Sequence, residues 1–194
     1  AIGPGLGQDD WAYQQFSRLI AYIKDHPKPL VIDADGLNLL ATMTDDANMQ
    51  NTLAQIPALV LTPHPGEASR LLNCNIAKVE SDRYLASKNI AQKYKATCVL
   101  KGAGTIVQTD GKHQEQKCWV CKGGNPGMAT AGMGDLLTGV VGAFLAQGFA
   151  SHKAAIYGVC AHAEAGDRIA EQYGQRGMIT SDLLQPLRAI VNGL

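Results

Sequence analysis

"PLVIDADGLNLLA" occupies residues 29–41, and its reading decides the fold. Its first five residues are a short apolar run ending on a carboxylate, which reads as a buried strand, and a short helix follows near 37–41. The pattern recurs. "ALVLT" (58–62) is a second strand, and "HPGEASRLL" (64–72) starts a helix. "TCVLK" (97–101) is a third strand, preceded by a helix over 82–95 that carries Leu85, Ile90 and Tyr94 on one side. Upstream, residues 8–24 place Trp11, Phe16, Leu19, Ile20 and Ile23 at helical spacing, and another helix is expected around 48–55. Buried strands alternating with helices predict an α/β fold: a mainly parallel sheet with helices on both faces.

Downstream, "TIVQTDGKHQEQKCWVC" (105–121) reads as a hairpin turning at Asp110-Gly111. Helices are expected over 135–147 and 152–173, then a last one capped by Thr180 or Ser181. No repeat, low-complexity tract or linker interrupts residues 1–194, so one domain is expected. The chain opens without Met on Ala-Ile-Gly-Pro-Gly, which reads as the tail of a strand entering a loop. Sequence upstream of it is therefore expected.

Composition narrows the function classes. The 194 residues suit one sizeable core. Lys plus Arg and Asp plus Glu each total 17 with no basic block, which argues against a nucleic-acid partner. The apolar runs are too short and too broken by Gly to span a bilayer. Five cysteines at irregular spacing argue against a disulfide framework and for a reducing cytoplasm. The pair in "CWVC" (118–121) would face opposite sides of a strand and could not chelate together.

The informative polar residues fall at the carboxyl ends of the strands, where ligands bind in open α/β sheets. "KGAGT" brings Lys101, Gly102, Ala103, Gly104 and Thr105 to a strand end. Small residues permit close approach, and Lys and Thr can meet phosphate oxygens; the other reading is a tight strand-to-strand connection. "GNPGMATAGMGDLLTG" (124–139) runs a glycine-rich loop with Asn125 into a helix, and "GMGD" offers Gly132 and Gly134 amides to an anion and Asp135 as a base. The plainer reading is flexibility plus helix capping by Asp135. "TPHPGE" fixes His64 between two prolines, with Glu67 suited to the next helix start. "DADGLN" carries Asp33, Asp35 and Asn38; its carboxylates either hold Mg²⁺ through water or order the loop, and Asp33 leans to the structural role. "GPGLG" (3–7) is a weak signal alone. His162 and Glu164 on a long apolar helix read as solvated or core groups, and no metal site is expected.

Together, "GPGLG", "DADGLN", "TPHPGEASRLL", "KGAGT" and "GNPGMATAGMGDLLTG" resemble the ADP/ATP-dependent NAD(P)HX dehydratases of the ribokinase-like superfamily. The resemblance covers nearly the whole chain, in order, and corresponds to the C-terminal part of the family's domain. It implies a repair reaction in which ADP or ATP, with Mg²⁺, phosphorylates the C6 hydroxyl of hydrated NADH or NADPH, and loss of phosphate restores the dihydronicotinamide. It implies Asp135 as the base, also in contact with substrate. Lys101, Gly102, Ala103, Gly104, Thr105, Gly132 and Gly134 would hold the nucleotide. Gly5, His64, Asn38 and Asn125 would contact the hydrated dinucleotide. It also implies a cytoplasmic homotetramer and a fused or separate epimerase partner. Two alternatives stand beside it: a hydroxyethylthiazole, pyridoxal or sugar kinase on the same fold, and a nucleotide-binding subunit without turnover.

Overall fold

The computed structural model describes residues 1–43, 47–111 and 117–194. One sheet runs in the order β1 (Leu30–Ile32), β2 (Leu59–Leu61), β3 (Thr97–Leu100), β4 (Thr105–Gln108) and β5 (Cys118–Cys121). The pairs β1/β2 and β2/β3 are parallel, and Ile2 adds a parallel bridge to Ile32. The expected hairpin supplies the antiparallel pair β4/β5, and β4 also pairs antiparallel with β3; the turn expected at Asp110-Gly111 runs into residues 112–116, which lie outside the described residues.

Alternation along the strands divides the core. Leu30, Ile32, Leu59, Leu61, Cys98 and Leu100 point to one face, toward α1 (Asp10–Asp25), α2 (Ala34–Thr42), α3 (Ala47–Gln55), α4 (Pro65–Leu71) and α6 (Arg83–Tyr94). Val31, Val60, Val99 and Val107 point the other way, onto Leu137, Val141 and Leu145 of α7 (Met133–Ala146) and Ala154, Ala155 and Val159 of α8 (Ser151–Tyr173). The crossover helices thus share one face while α7 and α8 cover the other, which fits strands added in sequential order by connections of one hand. Cys118 pairs with Gln108 and Cys121 with Thr105, so the two thiols face opposite sides as expected. No helix among the described residues is long and apolar enough to cross a membrane.

Helix starts follow from side-chain chemistry. Asp9, Asn75 and Asp82 each accept a backbone N–H at the start of α1, α5 (Ile76–Ser81) and α6. α5 is an element the sequence did not announce; it is six residues long and buries only Val79, too little to leave a periodic signal. Two expectations are corrected. α7 begins at Met133, with Gly132 at its N-cap at φ +84°. Asp135 is therefore in the first turn and makes no capping bond. Thr180 and Ser181 do not cap the last helix, α9 (Leu184–Val191); they open a 3₁₀ turn, Thr180–Leu183. There Asp182 Oδ2 accepts from Ile179 N at 2.9 Å, and the Thr180 hydroxyl donates to Ala131 O instead.

Candidate active site

The five polar stretches meet at the carboxyl ends of β1, β2 and β3. Asp33, directly after β1, is buried, and both its oxygens are used. Lys101 Nζ lies 2.7 Å from Oδ1, and the Thr138 hydroxyl donates to Oδ2 at 2.6 Å. Thr62, directly after β2, places its hydroxyl 3.4 Å from that of Thr138. Lys101, directly after β3, donates its backbone N–H to Pro63 O at 2.8 Å, and its ammonium stands 3.8 Å from Glu67 Oε2. The lean toward a structural Asp33 thus agrees with the geometry. A buried carboxylate of this kind is tolerable only with a cation and donors at hand.

Glu67 also shapes the loop carrying His64. Its Oε2 accepts the His64 N–H at 2.7 Å, while His64 Nδ1 accepts from Gly66 N at 2.9 Å, a reciprocal cap at the start of α4. An Nδ1 that accepts leaves the proton of the neutral ring on Nε2, which is 3.2 Å from Glu67 Oε1. His64 is half exposed and faces the rim. Asp35 orders the first loop, accepting from Gly7 N at 2.9 Å and Gln8 Nε2 at 3.0 Å. Gly5 is exposed on that loop, and Asn38 Oδ1 accepts from Arg70 Nη1 at 3.0 Å.

The start of α7 closes the site from the other side of the sheet. A Cβ on Gly134 would lie 3.2 Å from Lys101 Nζ, so the absence of a side chain there lets the ammonium pack against the helix N-terminus. Lys101 therefore sits where the free N–H groups of α7 and its macrodipole already favour an anion. Asp135, the next residue, is exposed, and its carboxylate has no hydrogen bond or ion pair among the described residues. It is an exposed, unpaired carboxylate beside a cluster of donors.

A cavity of about 560 Å³ opens next to this cluster. Lys101, Gly102, Ala103, Gly104 and Thr105 form one wall, the 122–126 segment with Asn125 another, and Gly134, Leu137 and Val159 the floor. Arg83 braces the first wall from α6, donating to Ala103 O at 2.6 Å and to Leu100 O and Lys101 O at 3.3 Å. A second cavity, of about 420 Å³ near Tyr173 and Arg176, holds none of the expected residues. His162 of α8 is a core group under the larger cavity. Burial lowers its pKa to about 4, against an opposing bond to the Met133 backbone, and its Nε2 has no partner. Glu164 is exposed and pairs with Arg168.

Three residues of the site went unread in the sequence. Thr138 was within reach, since it stands four residues after Gly134 on the same helix face. Arg83 and Asp167 gave no local signal, because each acts on a loop 17 or more residues away in sequence. Among the described residues no group of three or more His, Cys, Asp or Glu side chains could hold a metal ion.

Residues 1–188 match the family model described as NAD(P)H-hydrate dehydratase. The chain is 44% identical over 191 residues to the bifunctional NAD(P)H-hydrate repair enzyme of Coxiella burnetii, covering 98% of this chain and 36% of that protein. It is 38% identical over 192 residues to the ADP-dependent (S)-NAD(P)H-hydrate dehydratase of Neisseria meningitidis, covering 98% and 62%. It thus spans only part of the length of either relative. The crystal structure of the ADP/ATP-dependent NAD(P)H-hydrate dehydratase from Bacillus subtilis, co-crystallised with ATP/Mg²⁺, superposes with a TM-score of 0.83 at 24% identity, over 99% of this chain and 63% of that one. A ribokinase-like superfamily protein from Enterococcus faecalis superposes with a TM-score of 0.75 at 28% identity, over 99% and 61%. The fold is therefore the α/β, ribokinase-like one, and the chain belongs to the NAD(P)H-hydrate dehydratase family.

Proposed function

We propose that this chain dehydrates hydrated NADH or NADPH at the expense of ADP or ATP, a carbon–oxygen lyase reaction that passes through phosphorylation of the C6 hydroxyl. The observation that carries the reading is the unpartnered Asp135 carboxylate in the first turn of α7, one residue from the Gly134–Lys101 contact, in a chain of this family. Asp135 takes the hydroxyl proton as oxygen attacks the terminal phosphorus, so that the nucleophile is an alkoxide only where donors surround it. The transferring phosphoryl meets the amides at Gly132 and Gly134, whose alignment is set before it arrives. Lys101 compensates charge from below, while Gly102, Ala103, Gly104 and Thr105 wall the nucleotide. The ring nitrogen lone pair then expels phosphate from C6, and loss of a proton from C5 restores the dihydronicotinamide, where a kinase would release a stable ester. With ADP as donor the nucleotide product is AMP.

On the substrate side, Gly5 and His64 line the rim, and Asn38 keeps its amide N–H groups for a ligand because its oxygen is engaged by Arg70. Asn125 contributes by fixing the loop: its amide donates to Asp167 and its oxygen accepts from Gly127 N. Mg²⁺, when bound, neutralises phosphate charge and comes with the nucleotide. A cytoplasmic homotetramer working beside an epimerase, fused or separate, completes the reading; the relative named bifunctional supports only a second activity joined to this one. The test is incubation of the chain with hydrated NADH or NADPH plus ADP or ATP. Recovery of dihydronicotinamide absorbance with free phosphate is the expected result; a stable phosphorylated product shows a kinase, and binding without turnover shows a nucleotide-binding subunit.

A further inference from the structure

The cavity wall opposite Lys101 is the segment between β5 and α7, and it is rich in glycine. Two points hold it. At its start, Asp167 of α8 accepts from Gly124 N at 2.8 Å on Oδ2 and from Asn125 Nδ2 at 2.9 Å on Oδ1. At its end, the Thr180 hydroxyl donates to Ala131 O at 2.9 Å, one residue before the Gly132 turn. Between them, Asn125 Oδ1 accepts from Gly127 N at 3.1 Å and starts the 3₁₀ turn Pro126–Met128. The segment lies tight on α8, where a Cβ on Gly123 would come within 3.3 Å of Ala163 Cβ.

We infer that Asp167 is a positioning residue: its carboxylate latches the 124–125 corner to α8 and so holds the cavity wall and, downstream, the turn that presents Gly134 and Asp135. The consequence for nucleotide rests on the proposed function; the latch itself rests on the hydrogen bonds. Both Asp167 oxygens are used on this one corner, and a carboxylate accepting two N–H groups makes stronger bonds than a neutral acceptor. Gly123, Gly124 and Gly127 otherwise leave the segment many conformations to visit. The amide of Asn125 has both ends committed, so it cannot turn over to meet a changed partner without giving up Gly127. The chemistry is specific in direction: an acceptor must stand at both positions of residue 167.

The test is Asp167→Asn, which puts an amide N–H₂ against that of Asn125, compared with the exchange Asn125→Asp plus Asp167→Asn, which restores every donor–acceptor pair with the charge moved across. In the nucleotide-free 194-residue chain, amide hydrogen exchange of residues 124–133 should rise on Asp167→Asn. The dissociation constant for ADP or ATP should rise roughly tenfold, with the maximal rate reduced less. The exchanged pair should recover the exchange protection. Unchanged exchange in Asp167→Asn, or an exchanged pair no better than the single change, overturns the latch. If Asp167→Asn does not fold, an exchanged pair that folds with wild-type protection supports the proposal, and one that also fails to fold overturns it. A wild-type chain that binds neither nucleotide overturns the nucleotide reading instead, and the exchange measurement still decides the latch.

Discussion

Lys101 and Asp33 form a close ion pair, 2.7 Å between Nζ and Oδ1, directly under the first turn of α7. The Asp33 side chain is 1% exposed and that of Lys101 18%, so the pair is sheltered from the screening that makes surface pairs weak. Removing the cation alone strands a buried charge. Lys101→Met should therefore cost about 3–5 kcal/mol of stability. Asp33→Asn combined with Lys101→Met should recover most of that, because no uncompensated charge remains. Urea unfolding of both variants checks this. A single variant as stable as the double one would mean that the pair does not act as a unit.

Asp135 separates a base from a helix-stabilising carboxylate. Asp135→Asn keeps size and hydrogen bonding but loses basicity. A base role predicts a turnover loss of about 10²–10⁴-fold with nucleotide affinity little altered. The stability change should stay under about 1 kcal/mol, since Asp135 interacts with the α7 N-terminus only through the helix dipole. Steady-state kinetics beside thermal melts would show it, and near-wild-type turnover would remove Asp135 from the chemistry.

Gly134→Ala probes the contact between helix and ammonium. The new methyl would meet Lys101 Nζ at 3.2 Å, so the lysine must shift by a few tenths of an ångström against its tie to Asp33. A helix gains up to about 1 kcal/mol from Gly→Ala, which offsets the crowding. The expected outcome is near-neutral stability with weakened nucleotide binding by calorimetry. Unchanged binding would place the phosphates elsewhere.

His162 gives the chain a pH response. Burial holds its folded pKa at about 4, below the ordinary value of 6.5, so the unfolded chain takes up this proton first as pH falls. Stability from this group is whole above about pH 6.5, declines between there and pH 4, and levels off below. By pH 4.5 the loss should be roughly 2 kcal/mol, and His162→Gln should flatten that slope. Melting temperatures of both proteins from pH 7 to 4.5 measure the difference. Parallel curves would show that His162 does not titrate in a buried state.

What the sequence revealed and what it hid divide along the range of each interaction. β1, β2 and β3 were legible because short apolar runs between helical spacings have few alternatives, and the strands of the hairpin because two β-patterned runs flank turn-forming residues. His64 and Glu67 were readable as a helix start because that chemistry spans three residues. Lys101, Gly134 and Asp135 were picked out by residue type at strand and helix ends. Their proximity, and the engagement of Asp33 by Lys101, depended on packing that no local pattern encodes. The start of α7 was misjudged because a carboxylate is a good cap on average, whereas here a glycine at positive φ makes the turn. Arg83 and Asp167 look like ordinary helix-surface charges until the loops they brace are in place.

Asp33 is also a late-closing knot in the folding of the chain. Its two oxygens are satisfied by residues 68 and 105 positions further along. During synthesis, β1 can pair with β2 before Lys101 or Thr138 exists, so one Asp33 oxygen waits for β3 and the other for α7. Closing loops of that length is slow relative to local helix formation. A chain without α7 docked would keep an open, polar end on the sheet. A chain arrested before that step would expose a wet carboxylate at the end of the sheet.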